Sequence, residues 1–280
     1  MSIETRSDSD IILSPWPSER IMRLLPLTAV LILGGCGTDA GPPVADAAVA
    51  ASELAPTAAR TIGLTAADGV KVTGRLLEVT DARGLILLFH QAGSSKDEYA
   101  TIQPHLAELG YSSLAIDQRS GGDLFGRNET VRALGGTRDY LEARADLDAA
   151  VAWADARPGD APVLLWGSSY SAALVFLVAA DHADKVAGVL AFSPGEYLGS
   201  PRLVRDAAAR VKAPVFVTAA SDAGELRAAR DIAAAVPGGA TVAEPKTGVH
   251  GSSTLIAARN AAGAPANWMA VERFLASIRR

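Results

Sequence analysis

The sequence predicts an α/β protein: a mostly parallel eight-stranded sheet with an N-terminal antiparallel hairpin and helices on both faces. From residue 61 onward, short apolar runs alternate with segments of helical periodicity, the order that places crossover helices over a parallel sheet. Several of the short runs, Leu85 to Phe89 among them, are apolar without interruption, as expected of a strand covered on both faces. The first two strand patterns are separated by Ala67-Asp68-Gly69, a hairpin turn signal that makes this pair antiparallel and sets it at an edge. With 280 residues, 49% of them hydrophobic, the chain can bury one sizeable core.

The elements follow in order. Thr61 to Leu64 and Val70 to Val79 form the hairpin, and Leu85 to Phe89 is the third strand. Ser95-Lys96-Asp97-Glu98 has the spacing of a capping box and opens a helix whose face is marked by Tyr99, Ile102, Leu106 and Leu109. Ser112 to Ile116 is a strand, and a long loop, Asp117 to Gly136, leads to a helix from about Asp139 to Ala156. Ala161 to Trp166 is the next strand, followed by a helix-like run from Ala172 to Ala180, the strand Val186 to Phe192 and a helix beginning near Pro201. Pro214 to Thr218 is a strand, Glu225 to Val236 a helix and Thr241 to Ala243 a last short strand. The closing helix shows Trp268, Val271, Phe274, Leu275 and Ile278 at helical spacing.

The N-terminal quarter has a different character. Arg20 and Arg23 precede an apolar run from Leu24 to Leu33, too short for the roughly 20 residues of a membrane span but suited to the core of an export signal. It runs into Leu33-Gly34-Gly35-Cys36, which resembles the lipobox of bacterial lipoproteins. That resemblance implies cleavage before Cys36, lipidation of its thiol and residence in the bacterial cell envelope, facing the periplasm or on the outer membrane. Translation is expected to start at Met22, with Met1 to Ile21 an extension. Residues 1–35 are thus read as extension and signal peptide, 36–60 as an Ala- and Pro-rich linker poor in core-forming side chains, and 61–280 as the folded domain. Cys36 is the one cysteine of the chain, which excludes an intrachain disulfide. The net charge of -5 offers no basic footprint for nucleic acid, and neither a metal-ligand cluster nor a phosphate-cradling loop is visible, Gly121-Gly122 lacking the pattern. A small-molecule partner is expected, with no cofactor.

One stretch carries chemistry. In Gly167-Ser168-Ser169-Tyr170-Ser171 a buried-strand pattern meets a helix pattern across a few small residues. Such a turn strains its central residue and needs small neighbours two positions away on either side. Gly167 and Ser171 meet that condition around Ser169, whereas centring on Ser168 would put Trp166 and Tyr170 there. Of the four histidines, His105 lies within a helix, His182 near a helix end and His90 at the end of a strand. His250 stands in Thr247-Gly248-Val249-His250-Gly251-Ser252, a loop free of periodic structure. For an acid to orient it, Asp222 follows the seventh strand by a few residues and is preferred. Glu196, past the sixth strand, and Glu225, at a helix start, are the alternatives.

From about Thr61 onward the chain resembles α/β-hydrolases, in particular the dienelactone hydrolase-like and small carboxylesterase branches. The matching positions are the elbow around Ser169, Asp222 after the seventh strand and His250 after the eighth. The resemblance implies an α/β-hydrolase fold and a serine hydrolase of the carboxylic-ester type. Ser169 would be the nucleophile, His250 the base and Asp222 the orienting acid. It further implies an oxyanion hole formed by the N–H of Tyr170 and a donor from Phe89-His90-Gln91-Ala92-Gly93, where Ala92 is expected to donate, with Gln91 as second choice. Between Phe192 and Pro201 there is no room for a large lid, so an open site walled by the 117–136 loop and Tyr170 is expected. A serine peptidase or acyltransferase on the same fold, and a non-catalytic envelope binding protein, are the competing readings. The oligomeric state is left open.

Overall fold

The computed structural model describes residues 58–278; the signal peptide, Cys36 and almost all of the linker lie outside them. Eight strands form one open sheet in the order β1-β2-β4-β3-β5-β6-β7-β8. They are β1 Arg60–Thr65, β2 Lys71–Leu77, β3 Leu85–Phe89, β4 Ser112–Ile116, β5 Val163–Ser168, β6 Val186–Phe192, β7 Val215–Thr218 and β8 Thr241–Ala243. The β1–β2 and β2–β4 pairs are antiparallel, and every pairing from β4 to β8 is parallel. The hairpin therefore sits at one edge, as the turn signal required.

Alternation along the central strands separates two cores. Leu85, Leu87 and Phe89 of β3, Leu165 of β5, Val189 and Ala191 of β6, and Val215 and Val217 of β7 point to one side. There they pack against α3 Arg144–Asp155, α4 Tyr170–Asp181, α5 Leu203–Ala208 and α6 Ala223–Ala233. Ile86, Leu88, Leu164, Trp166, Leu190, Phe192 and Phe216 point to the other, under α1 Ile102–Glu108 and α7 Ala264–Ser277. α4 is apolar almost all round and buried from Tyr170 to Ala179, which is what a helix at the centre of one face requires.

Several boundaries differ from expectation, each for a local reason. The 117–136 segment contains a short helix, α2 Glu129–Leu134, whose N-terminus is capped by the Asn128 side chain accepting from Val131 N–H and whose end is turned by Gly135 at φ 69°. The helix expected from Asp139 begins as a 3₁₀ turn, Tyr140–Ala143, with Glu142 reaching back to Asp139 N–H at 3.3 Å. α4 starts at Tyr170 rather than Ala172, immediately after Ser169. α6 begins at Ala223 because Asp222 caps it, accepting from the N–H of Gly224 at 2.8 Å and of Glu225 at 3.1 Å. The Ser95–Glu98 spacing yields only a 3₁₀ turn, Lys96–Tyr99, before α1. Ser95 accepts from Asp97 N–H, but Glu98 turns inward instead of back to the cap.

Candidate active site

The turn between β5 and α4 holds Ser169 at φ 59°, ψ -121°, a conformation that costs an L-residue on the order of 1–3 kcal/mol and persists only under enforcement by its surroundings. The enforcement is visible. Ser169 N–H donates to the Phe192 carbonyl at 2.8 Å. A Cβ on Gly167 would lie 2.3 Å from the Ser171 carbonyl oxygen, so strand and helix approach to a distance that only glycine permits. Ser171, the small residue on the other side, donates to the His90 carbonyl at 2.6 Å and accepts from Gln118 Nε2 at 2.7 Å. It thereby pins the elbow to the end of β3.

His250 arrives from the loop after β8. That loop is held by reciprocal bonds with Ser221, Gly248 N–H donating to Ser221 Oγ at 2.7 Å and Ser221 N–H to the Gly248 carbonyl at 3.3 Å. Beyond the histidine, Gly251 N–H donates to Ser193 Oγ and Ser252 N–H to Ser168 Oγ, each at 2.9 Å. The imidazole Nε2 accordingly stands 2.8 Å from Ser169 Oγ, and Nδ1 2.9 Å from a carboxylate oxygen.

That carboxylate belongs to Glu225, and the choice of Asp222 is corrected here. Asp222 is spent on the α6 cap, an exposed position. Glu225, one helical turn further on, reaches His250 through Oε1 while Oε2 accepts from Ala220 N–H at 3.2 Å. Asp222-Ala223-Gly224-Glu225 has capping-box spacing, a signal that sets both acids at a helix start and does not say which of them turns to the histidine. Glu196, the other alternative, accepts from Val204 N–H at 2.8 Å and Arg205 N–H at 3.1 Å and so caps α5.

The electrostatics follow from these contacts. Burial pushes the Glu225 carboxyl up, but hydrogen bonds with His250 and Ser193 and the imidazole charge outweigh it and hold it down at about 2. The hydrogen bond to Glu225 raises His250 above its ordinary 6.5, against the opposing effect of burial. Because Glu225 is an acceptor, Nδ1 carries the proton and Nε2 is left to accept from Ser169.

Of the two oxyanion candidates on the β3 turn, Gln91 N–H is occupied, donating to Glu98 Oε2 at 2.8 Å. The N–H groups of Ala92 and of Tyr170, the first residue of α4, take no acceptor among the described residues. His90 is fully buried; its ring bonds the Gln91 carbonyl at 2.8 Å and accepts Gln118 N–H at 2.9 Å, and burial lowers it to about 4. His105 and His182 pair with surface acids, Glu272 and Asp148. The Tyr170 side chain does not wall the site as expected: it is buried in the core and covered by Tyr140, stacked at 4.5 Å. A cleft of about 360 Å³ lies beside the oxyanion turn, lined by Gly93, Ser120, Gly121, Thr137, Arg138 and Tyr140. Among the described residues no group of His, Cys, Asp and Glu is placed to hold a metal ion, and no helix is long and apolar enough to cross a membrane.

Comparison with known proteins adds the family. Residues 80–234, more than half of the chain and including the elbow and Glu225, match the family described as serine aminopeptidase, S33. The chain belongs to the serine aminopeptidase S33 family. This S33 member shares its fold with a dienelactone hydrolase from Anabaena variabilis, at 18% identity and a TM-score of 0.62 over 80% of this chain and 99% of that one. An esterase from Pyrococcus furiosus aligns with a TM-score of 0.60 at 18% identity, covering 79% and 90%. Est1E from Butyrivibrio proteoclasticus, with ferulic acid bound, aligns with a TM-score of 0.59 at 16% identity, covering 77% and 98%. No curated protein matches the sequence significantly. The S33 chain therefore has the α/β-hydrolase fold and is a hydrolase of that class.

Proposed function

We propose that this hydrolase cleaves carboxylic esters through an acyl-enzyme on Ser169. The observation that carries the reading is the unbroken line Ser169 Oγ, His250 Nε2, His250 Nδ1, Glu225 Oε1, with contacts of 2.8 and 2.9 Å. As Ser169 Oγ attacks the ester carbonyl, its proton passes to His250 Nε2, and Glu225 holds the tautomer and stabilises the imidazolium. The carbonyl oxygen becomes negative and is met by the N–H groups of Tyr170 and Ala92; one such donor is worth about 3 to 4 kcal/mol in the transition state. The imidazolium returns the proton to the departing alkoxide oxygen. Water, activated by the same His250, then hydrolyses the acyl-enzyme. The open cleft between the oxyanion turn and Tyr140 suits a small ester better than a long triglyceride.

Peptide-bond cleavage is the second reading, favoured by the family description; hydrolysis rates of a matched ester and amide separate the two. Lipid anchoring through Cys36 is proposed on the lipobox resemblance of residues 33–36. Treatment of the full chain with a fluorophosphonate, followed by peptide mass spectrometry, tests the central claim. Labelling of Ser169 that is lost in His250→Ala is expected; a folded wild-type chain left unlabelled at Ser169 would sink the catalytic reading.

A further inference from the structure

The triad leaves one buried acid beside it unused. Glu98 is 1% exposed and sits on the 3₁₀ turn after β3. Its Oε2 accepts Gln91 N–H at 2.8 Å, so it grips the residue before the oxyanion donor Ala92. Its Oε1 lies 2.7 Å from Ser168 Oγ, on the residue before the nucleophile. Ser168 Oγ in turn accepts Ser252 N–H at 2.9 Å, two residues beyond His250, and Ser252 Oγ takes the Trp166 indole N–H at 2.9 Å. One carboxyl group thus joins the oxyanion turn, the elbow and the histidine loop, three segments remote in sequence. Close packing supports the same link, because a Cβ on Gly251 would lie 2.4 Å from Ser168 Oγ.

A proton count says which form of Glu98 fits. Ser168 Oγ receives one proton from Ser252 N–H and has one of its own to give, and Glu98 Oε1 is the acceptor within reach. Glu98 also accepts at Oε2. A carboxylate satisfies both contacts, whereas a neutral acid brings a further proton to an arrangement built from donors.

We propose that Glu98 is a positioning residue whose ionised form holds the oxyanion turn, the nucleophile elbow and the histidine loop in register for catalysis. The proposal rests on the serine-hydrolase reading of Ser169 and His250. Burial lifts the Glu98 carboxyl to about 7, against the hydrogen bonds from Gln91, Ser168 and Ser94 and the charge on His250. The groups that face it are the imidazole of His250 and the phenols of Tyr99 and Tyr170. Both phenols are pushed above their ordinary value and stay neutral, so the imidazole is the partner whose charge changes in the same range. Negative Glu98 raises His250, and positive His250 lowers Glu98, so the two titrate as a coupled pair. Below neutrality both protonations remove activity, and the acid limb steepens beyond a slope of one.

The test is the rate of fluorophosphonate labelling of Ser169 across pH in the full chain, for wild type, Glu98→Gln and Ser168→Ala, with circular dichroism to verify folding. Glu98→Gln is expected to label about 10- to 100-fold more slowly at about pH 8, the scale of a small misplacement of reacting groups. Its acid limb should carry a slope of one, with the midpoint at lower pH because His250 has lost a neighbouring negative charge. Ser168→Ala keeps the carboxyl but cuts the tie and removes a hydrogen bond that holds Glu98 down, so it should slow labelling without the shift of the midpoint to lower pH expected of Glu98→Gln. A Glu98→Gln chain with the wild-type rate and acid limb overturns the proposal, as does one that loses thermal stability while its acid limb stays unchanged. Should Glu98→Gln fail to fold, a wild-type labelling rate in Ser168→Ala overturns it instead. Absence of labelling in the folded wild type removes the activated serine itself and this proposal with it. Labelled wild type with indistinguishable variants removes only the role of Glu98.

Discussion

At the residue scale, the two acids at the start of α6 have divided their tasks by a single helical turn. Asp222 caps the helix with two backbone bonds, and Glu225 turns toward His250. Glu225→Gln is therefore expected to lower kcat about 10³- to 10⁴-fold by spoiling the tautomer. Asp222→Ala should cost about 1 kcal/mol of stability and leave kcat within a few-fold. Ester hydrolysis and thermal melts on the same two variants check both, and the opposite ranking of kcat would return the acid role to Asp222. The pH dependence has a definite sign. An imidazole can act as a base only when neutral, and Glu225 raises that of His250 above 6.5, so on the proposed mechanism kcat/KM should fall on acidification with a midpoint above that value.

At the element scale, three helix starts carry one local pattern, an acid or serine followed three positions later by glutamate, and the fold uses it in different ways. Asp139 and Glu142 close back on each other at the start of the helix leading into α3. At Ser95–Glu98 and Asp222–Glu225 the first residue still caps, but the glutamate is drawn away to Ser168 and to His250. The helix ends lose a reciprocal bond and the site gains its two carboxyl groups. α4 supplies the rigidity behind them, and Leu174 on it is fully buried. Leu174→Ala should cost about 2 to 5 kcal/mol, measured by denaturant unfolding. Gly167→Ala should abolish labelling of Ser169, because the added Cβ meets backbone at 2.3 Å and not a flexible side chain.

At the scale of the whole molecule, the sheet places the ends of β3, β5, β6 and β7 side by side, so groups spread over the sequence from Gln91 to Ser252 meet beyond one edge of the strands. Two of these groups make stability depend on pH in separate windows. Glu225 is held below its ordinary 4.5, so its contribution is present above about 4.5 and is lost as pH falls toward about 2. Glu98 is lifted from 4.5 to about 7, so the native state binds its proton more tightly than the unfolded chain and loses stability as pH rises through that interval. Chemical denaturation of wild type and Glu98→Gln between about pH 4 and 8 should show the second dependence diminished in the variant. For the N-terminal segment, Cys36→Ala expressed from the full gene should shift the protein from the membrane fraction to the soluble one; retention in the membrane would count against lipid anchoring.

What the amino-acid order alone determined is the part of this protein governed by local rules. Apolar runs and their period specified the alternation of strands and helices, the hairpin turn specified the antiparallel edge, and the small residues around Ser169 specified a strained elbow. His250 stood out because nothing periodic surrounded it. What only the tertiary structure decided is the direction of side chains at helix starts. Asp222 and Glu225 are both compatible with capping and with an acid role, and they differ in which one lies within reach of a loop folded back from 25 residues further along. Glu98 was legible only as half of a capping box, since its partners Gln91, Ser168 and Ser252 are joined by strand order and not by sequence spacing. Local pattern records which groups a residue can bond; the packing of the sheet and its loops determines which of them it meets.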